Sequence, residues 1–345
     1  MVSVRPNSPN NSIDRFIVGT GRCGSTLMSR MLGEHPDVLS LFEFFTGLDW
    51  DRRFTSEPMS GREFRDMVSA EQPVVTAVLR RGYEVSEITY PFDGVGRYQR
   101  DDPLPWILVS MLPRLGDDPD ALYEQLTAEL DSAPSLAPVD HYRRMFEWLG
   151  RRFGRRHWIE RSGSSVEYAD ELARLFPNAR FVHLHRDGAE TALSMREHHA
   201  YRLPICLLYD APLDDGTPVS ELPALDVNAA PTGDDPVTRI LQSRPPGEYF
   251  GRYWNDQIVK GMAALDGIAE ERVLSVAFEE LIGNPKRWLS DIAEFFELER
   301  ESDGWIEKGA ALVRGVVPTR ADELSRDEYE RLIDACAPGS RLLGR

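Results

Sequence analysis

The sequence contains little cysteine. Its 345 residues include three cysteines, Cys23, Cys206 and Cys336. They are widely spaced and form neither a disulfide framework nor the ligand spacing of a zinc site. We therefore expect no bound metal and a protein of a reducing compartment, most simply the cytoplasm.

Long apolar runs are also missing. No segment approaches the roughly 20 apolar residues that a membrane-spanning helix needs, and residues 1–12 are polar, without the apolar centre of a signal peptide. We expect residues 1–12 to be a disordered tail and residues 13–345 to form one folded domain. Stable insertion into a membrane is not expected.

Lysine is scarce, and basic residues do not balance the acidic ones. Lys260, Lys286 and Lys308 are the only lysines, and the net charge is −17. Because the field of such a protein repels polyanions, we expect no nucleic-acid partner. An anionic ligand would need locally concentrated arginine.

One segment has the pattern of a phosphate-binding loop. The apolar run 16–18 is typical of a buried strand, a glycine-rich stretch follows at 19–26, and apolar residues at 27, 28, 31 and 32 then share one helix face. A strand, a glycine loop and a helix present backbone N–H groups and the positive end of the helix dipole to an anion. The expected phosphate contacts are Gly21, Arg22, Cys23, Gly24, Ser25 and Thr26.

This loop lacks the lysine of nucleoside triphosphatases. Gly19 and Gly24 have the spacing of G-x-x-x-x-G-K-[ST], but Ser25 occupies the position of the lysine. Without that lysine and its magnesium chemistry, phosphoryl transfer is disfavoured. With a cation at Arg22 and hydroxyls at Ser25 and Thr26, the loop resembles the 5′-phosphosulfate loop of sulfotransferases that use 3′-phosphoadenosine-5′-phosphosulfate (PAPS).

A second segment strengthens this resemblance. Residues 180–185 read as a strand, Arg186 stands at its carboxyl end, and Ser194 follows about two helical turns later. A guanidinium and a hydroxyl suit a phosphate monoester. In the sulfotransferase family an arginine and a serine with this spacing hold the 3′-phosphate of the donor. The resemblance thus implies that Arg186 and Ser194 bind PAPS and its product, adenosine 3′,5′-bisphosphate.

Glu43 is the first candidate for a catalytic base. It is a single carboxylate among the large apolar residues of 39–45, a setting that suits proton abstraction, and some bacterial sulfotransferases place their base at about this point. His198 or His199 is the reserve candidate. Since no third ligand stands at a recognisable spacing, solvated histidines at a helix end are the simpler interpretation of that pair.

Two further arginines are assigned from the resemblance. The family often has Glu-Lys-Ser/Thr where this chain has Glu160-Arg161-Ser162, so Arg161 would stabilise charge near the transferring group in place of a lysine. Arg314, followed by Gly315, would reach the 3′-phosphate, as a late Arg-Gly does in some members.

The alternation of strands and helices predicts an α/β fold. The resemblance implies a three-layer arrangement like that of P-loop nucleotide kinases, with a central parallel sheet flanked by helices. We expect a substrate-binding cap over about 46–155 and a lid-like loop over about 203–247. Within the cap, 61–70, 119–130 and 141–153 are predicted helices, and 74–80 is predicted to be a strand or a buried turn.

The function implied is transfer of the sulfuryl group of PAPS to a hydroxyl, without a metal. The acceptor stays open between a small molecule, a sugar or glycolipid, and a carrier-bound chain, and the oligomeric state is unknown. Two alternatives remain: a P-loop small-molecule kinase and a non-catalytic nucleotide-binding protein.

Overall fold

The computed structural model describes residues 13–92, 94–299, 304–314 and 319–345. The predicted disordered tail 1–12 and Gly315 lie outside these residues. Five strands form one sheet, and they are β1 Arg15–Val18, β2 Val38–Phe42, β3 His157–Arg161, β4 Arg180–His185 and β5 Val273–Ala277.

The strands are all parallel and lie in the order β2-β3-β1-β4-β5. β1 is central, with Phe16 paired with Glu160 of β3 on one side and with Phe181 of β4 on the other. The chain places β2 and β3 on one side of β1 and then β4 and β5 on the other, so the direction of winding changes at β1. In sheets of this kind ligands bind beyond the carboxyl ends of the strands, where the winding direction changes.

Fifteen α-helices occur among the described residues: α1 Ser25–Gly33, α2 Gly61–Val68, α3 Pro73–Arg80, α4 Trp106–Ser110, α5 Pro119–Asp131, α6 Pro138–Arg152, α7 Ala169–Leu175, α8 Gly188–Arg196, α9 His199–Tyr209, α10 Pro236–Gln242, α11 Gly247–Asp266, α12 Phe278–Gly283, α13 Pro285–Phe295, α14 Trp305–Ala310 and α15 Arg326–Leu342. None of these helices has both the length and the apolar character needed to cross a bilayer.

The alternation of side chains along β1 separates the two faces of the sheet. Phe16 and Val18 pack with apolar residues of α2, α5, α6 and α7, whereas Ile17 packs with those of α1, α13 and α14. Successive residues of a strand point to opposite faces, so a short apolar strand joins both helical layers. The predicted α/β class, with a central parallel sheet flanked by helices, is confirmed.

Part of the segment predicted to be a cap forms a layer of the core. Met145, Phe146 and Leu149 of α6 share a buried cluster with Phe16 of β1. The rest, around α3 and α4, joins a second cluster with α8–α11 and α15. Residues 46–155 therefore both cover the sheet and contact the helices beyond its carboxyl edge.

The prediction of a strand or buried turn at 74–80 is wrong, because these residues form helix α3. Pro73 occupies the first turn, where its missing N–H costs nothing, and the Gln72 side chain accepts from Val75 N at 3.1 Å. Burial of Val75 and Val78 on one face then stabilises the helix. The prediction of a strand came from the valines and the threonine of this segment, because β-branched residues are enriched in strands.

The prediction of one long loop over 203–247 is also wrong at both ends. Leu203–Tyr209 completes α9, despite Pro204, because Leu203, Ile205 and Cys206 are buried. Pro236–Gln242 forms α10, and Asp235 caps its N-terminus: the Asp235 side chain accepts a hydrogen bond from Thr238 N. Residues 210–235, between these two helices, and the short link 243–246 contain no α-helix, so any lid is shorter than expected.

Candidate active site

The predicted site residues converge at the carboxyl edge of the sheet. The glycine loop follows β1, Glu43 follows β2, Arg161 ends β3 and Arg186 follows β4. Because parallel strands all end at this edge, residues distant in sequence become neighbours. The observed strand order also puts Arg186 next to the glycine loop, since β4 pairs with β1.

The glycine loop leaves the first turn of α1 open. Gly24 precedes the helix with φ 94°, no side chain caps the first turn, and no acidic residue lies in it. A β-carbon at Gly24 would lie 2.1 Å from Phe278 Cδ2, so this position has room only for glycine. Unpartnered amides at the positive end of a helix dipole form a site for an anion.

The side chains of the loop differ in their surroundings. Ser25 is buried at the start of α1, and Thr26 Oγ1 accepts from Arg161 Nη2 at 3.1 Å. The Cys23 side chain instead lies in the core below the loop, where burial raises the pKa of its thiol. Cys23 can therefore contribute its backbone to an anion site, but not a thiolate.

Arg22 joins the two motifs that the sequence analysis singled out. Its Nε donates to Ser194 Oγ at 3.3 Å, and its Nη1 donates to Ser86 Oγ at 3.2 Å and to Glu87 Oε1 at 3.3 Å. Arg22 has φ 53°, a left-handed conformation that is unusual for arginine. The loop backbone thus turns this guanidinium toward α8.

Arg186 lies in a cluster of two cations and one carboxylate. It is buried beneath the ring face of Phe278, with its guanidinium carbon 5.0 Å from the ring centre. Glu190 Oε2 lies 3.8 Å from Arg186 Nη2 and 3.7 Å from Arg320 Nη1. Burial, together with the charge of Arg320, lowers the pKa of Arg186. Binding of an anion beside Arg186 and Arg320 is therefore favourable.

Arg320 was not identified from the sequence, and Arg314 was chosen in its place. Arg314 is exposed at the end of a described segment, so its role as a phosphate ligand stays a prediction. Arg320 Nη1 and Glu190 Oε2 are both buried and have no hydrogen-bond partner within the part of the chain that the structure describes. Their 3.7 Å separation is too long for a hydrogen bond, so Arg320 can turn to a phosphate.

Glu43 and Arg161 form a buried ion pair. Arg161 Nη1 donates to Glu43 Oε1, and Glu43 Oε2 accepts from Thr46 Oγ1 at 2.8 Å and from Gly163 N at 2.7 Å. Both charged residues are at least 95% buried, with relative exposures of 5% and 1%. The surroundings of the Glu43 carboxylate are therefore polar, although its neighbours in sequence are apolar.

The backbone holds Glu43 in a specific orientation. Glu43 has φ 54°, its N–H donates to Arg161 O at 2.7 Å, and its carbonyl accepts from the Trp106 indole. A left-handed conformation is unfavourable for a residue with a β-carbon, so these contacts must stabilise it. Such strain is common at functional sites. The arrangement directs the carboxylate to Arg161, which also contacts Thr26 of the loop.

His198 is buried, so the interpretation of this residue as a solvated histidine is wrong. Its Nε2 lies 2.8 Å from Glu87 Oε2 and 3.2 Å from Ser86 Oγ. Its Nδ1 is buried without a hydrogen-bond partner among the described residues. His199 instead packs on Tyr83, with ring centres 4.3 Å apart, and burial lowers its pKa to about 4.

Glu87 and Ser86 were also missed by sequence reasoning. They lie in the segment between α3 and α4, where no motif distinguishes one carboxylate from its neighbours. Burial alone would raise the pKa of Glu87, but the hydrogen bond from His198 and the charges of His198 and Arg22 lower it to about 2. Glu87 is therefore an anion in contact with the candidate phosphate loop.

Taken together, these observations define an α/β protein with a central parallel sheet and with arginines near the N-terminus of the helix that follows β1. The sequence model of the sulfotransferase family matches residues 114–203. The matched stretch includes Arg161, Arg186 and Ser194 but not the glycine loop. This match confirms the predicted resemblance to the sulfotransferase family. A search of the curated proteins finds no match.

Several solved structures are similar in fold. One is a sulfotransferase domain from the curacin biosynthetic pathway, which is 14% identical in sequence; the match covers 95% of this chain and 98% of that chain, with a TM-score of 0.48. Another is a sulfotransferase domain from the Synechococcus PCC 7002 olefin synthase, which is 17% identical; the match covers 95% of this chain and 97% of that chain, with a TM-score of 0.45. A sulfotransferase from Alicyclobacillus acidocaldarius is 17% identical in sequence, and the match covers 96% of this chain and 94% of that chain, with a TM-score of 0.41. The strand order β2-β3-β1-β4-β5 defines the fold class independently of these distant likenesses.

Proposed function

We propose that this protein is a sulfotransferase that uses PAPS as donor and a hydroxyl compound as acceptor. The observation that carries the proposal is the convergence of two anion sites, the open N-terminus of α1 with Arg22 and the Arg186 cluster, joined by the Arg22–Ser194 contact. A donor with phosphate groups at both its 5′ and 3′ positions needs two such sites close together. The family match supports the same assignment.

The residues present fit such a donor. The first turn of α1 has no capping side chain, which leaves amides for a 5′-phosphosulfate. Among the described residues, Arg186 and Arg320 share the single carboxylate of Glu190, so an added phosphate improves their charge balance. Arg186 and Ser194 would thus hold the 3′-phosphate, and Arg320 is a better placed candidate than Arg314 to assist them.

PAPS supplies the sulfuryl group, whose bond to the bridging oxygen breaks to leave adenosine 3′,5′-bisphosphate. Arg22, the loop amides and the hydroxyls of Ser25 and Thr26 would stabilise negative charge on that oxygen. Arg161, which already contacts Thr26, would add a positive charge on the same side. Donors fixed in place before the reaction act without reorganisation, which is why such groups contribute strongly to rate.

Glu43 is proposed to take the proton of the acceptor hydroxyl. Its carboxylate is held by Arg161, Thr46 and Gly163, so it is oriented but not free. When Arg161 turns toward the transferring group, Glu43 loses its strongest partner and becomes a better proton acceptor. His198 stays the reserve candidate, because its Nδ1 has no partner among the described residues.

The acceptor is proposed only by class. A small-molecule alcohol, a sugar or glycolipid, or a carrier-bound hydroxyl would each suit an oxygen nucleophile activated by a carboxylate. The net charge of −17 makes a polyanionic polysaccharide the least favourable acceptor.

The direct test is a transfer assay with PAPS carrying radioactive sulfur and a panel of uncharged hydroxyl acceptors, with and without a chelator. We expect labelled product and adenosine 3′,5′-bisphosphate in both conditions. Phosphorylated product from magnesium-ATP under the same conditions would instead establish the small-molecule kinase. Nucleotide binding without transfer to any acceptor would favour the non-catalytic alternative.

A further inference from the structure

Arg22, which we assign to the donor, also contacts a carboxylate of the protein. Its Nη1 donates to Glu87 Oε1 at 3.3 Å, while the other oxygen of that carboxylate is bonded to His198 at 2.8 Å. Glu87 thus bridges the phosphate loop and the start of α9. One carboxylate here has two competing cation partners, because the histidine becomes a cation when it is protonated.

Arg114 fixes the backbone of the segment that carries Glu87. Arg114 Nη2 donates to the backbone carbonyls of Ser86 at 3.4 Å and of Glu87 at 3.3 Å, and the Arg114 guanidinium lies 3.8 Å from the Phe42 ring centre. Phe42 ends β2, immediately before Glu43. The sheet therefore positions the Glu87 backbone, and the contact with Arg22 is the part of this arrangement that a ligand can exchange.

A bound donor and Glu87 would compete for Arg22. Glu87 is ionised over the whole neutral range, as its pKa of about 2 indicates, and it contacts the guanidinium that we assign to the phosphosulfate. Two anions at one arginine repel each other, and the repulsion is strong where water is excluded. The donor can take Arg22 fully only if Glu87 finds its charge balanced elsewhere.

We propose that Glu87 is an internal anion that competes with the donor for Arg22: it gives up its contact with Arg22 when the donor binds and keeps its contact with His198. This inference rests on the proposed function, since it takes PAPS as the ligand of Arg22. Glu87 then sets donor affinity and product release as a positioning residue, because it recovers Arg22 as adenosine 3′,5′-bisphosphate leaves. His198 is the second partner that makes this competition reversible.

His198 is the partner that stays with Glu87 when Arg22 leaves it. The charged and titratable groups around it are Glu87 from the segment before α4, Arg22 from the loop, and Tyr201 and His199 from its own helix. Arg161 acts on the same pair through Glu87. The contact with His198 therefore continues to balance the Glu87 carboxylate when Arg22 moves to the donor.

The test is calorimetric binding of PAPS, without acceptor, to three variants of the full chain. Glu87→Gln should bind PAPS several-fold more tightly than wild type, because Arg22 loses its internal competitor. His198→Phe should bind several-fold more weakly, because Glu87 then relies on Arg22 alone. The double variant should behave like Glu87→Gln, because His198 acts on Arg22 only through Glu87.

Glu84→Gln is the matched control. It removes the same charge from the same segment, but the Glu84 side chain is 86% exposed, so PAPS affinity should not change. If Glu87→Gln binds PAPS with unchanged or weaker affinity, Glu87 does not compete with the donor for Arg22, and the sulfotransferase proposal stays intact. If Glu87→Gln does not fold, unchanged binding by His198→Phe overturns the competition equally. Failure of wild type to bind PAPS would overturn the proposed function and the inference with it.

Discussion

The guanidinium Nε of Arg22 lies 3.3 Å from Ser194 Oγ, although 172 positions separate the two residues in sequence. The contact joins the loop after β1 to helix α8 after β4, and the pairing of these two strands makes it possible. It also places the proposed 5′-phosphosulfate and 3′-phosphate sites side by side. A single donor molecule can therefore reach both.

Loss of the Ser194 hydroxyl should weaken product binding. A hydrogen bond to a charged group contributes about 1.5–3 kcal/mol, so Ser194→Ala should bind adenosine 3′,5′-bisphosphate roughly 10- to 100-fold more weakly. Calorimetry measures this directly. Ser132→Ala, which removes an exposed hydroxyl at the end of α5, is the control and should bind normally. Equal affinity in both variants would refute the role of Ser194.

Removal of the Glu43 carboxylate should destabilise the fold. Glu43→Ala leaves Arg161 buried without its ion-pair partner, a change that costs about 3–5 kcal/mol in comparable buried pairs. Urea unfolding at neutral pH measures the free energy of unfolding. Glu43→Gln keeps a hydrogen-bonding side chain, so its free energy of unfolding should decrease less than that of Glu43→Ala. A Glu43→Ala protein as stable as wild type would mean that Arg161 finds another partner.

Glu43→Gln should separate binding from catalysis. The amide cannot take a proton from the acceptor, so we expect sulfuryl transfer to fall by at least roughly 100-fold, the lower end of what a general base contributes. Binding of adenosine 3′,5′-bisphosphate should stay within a few-fold of wild type. Full turnover in this variant would transfer the role of base to His198, and His198→Phe would then be inactive.

Stability should fall as pH rises through the range in which Glu160 ionises. Burial raises the pKa of this β3 carboxyl from the ordinary 4.5 to about 8, so the folded chain retains a proton that the unfolded chain has lost. The free energy of unfolding therefore decreases between pH 4.5 and pH 8 on account of this group. Glu160→Gln, still able to bond Ser162, should show a smaller decrease between pH 6 and pH 8 in urea titrations. An unchanged decrease would mean that Glu160 is ionised in the folded chain.

The sequence predicted the sheet and the two phosphate motifs because their signals are local. A short apolar run before Gly19, and another before Arg186, mark strand ends, and strand ends in a parallel sheet meet at one edge. The Arg22–Ser194 contact follows from this topology. Glu43 is a candidate base because of its apolar neighbours and its position after the loop, and that role stays a prediction. Its pairing with Arg161 depends on the adjacency of β2 and β3, which no local pattern encodes.

The residues that sequence reasoning missed have no local signal. Glu87 lies in a segment without a motif, and its importance comes from Arg114, Arg22 and His198, which distant elements supply. Arg320 is one arginine among many, and only the packing of its segment against α8 puts it near Arg186. His198 was interpreted as solvated because nothing in the sequence shows that Glu87 covers it.

The central claim is that Arg186 and its neighbours recognise a 3′-phosphate, and calorimetry of three nucleotides tests it most directly. Adenosine 3′,5′-bisphosphate without magnesium, adenosine 5′-phosphate, and ATP with magnesium would be compared on wild type and Arg186→Ala. We predict tight binding of the bisphosphate alone, weakened in Arg186→Ala to the level of adenosine 5′-phosphate. Equal affinity for the bisphosphate and adenosine 5′-phosphate, or a preference for magnesium-ATP, would contradict the sulfotransferase assignment.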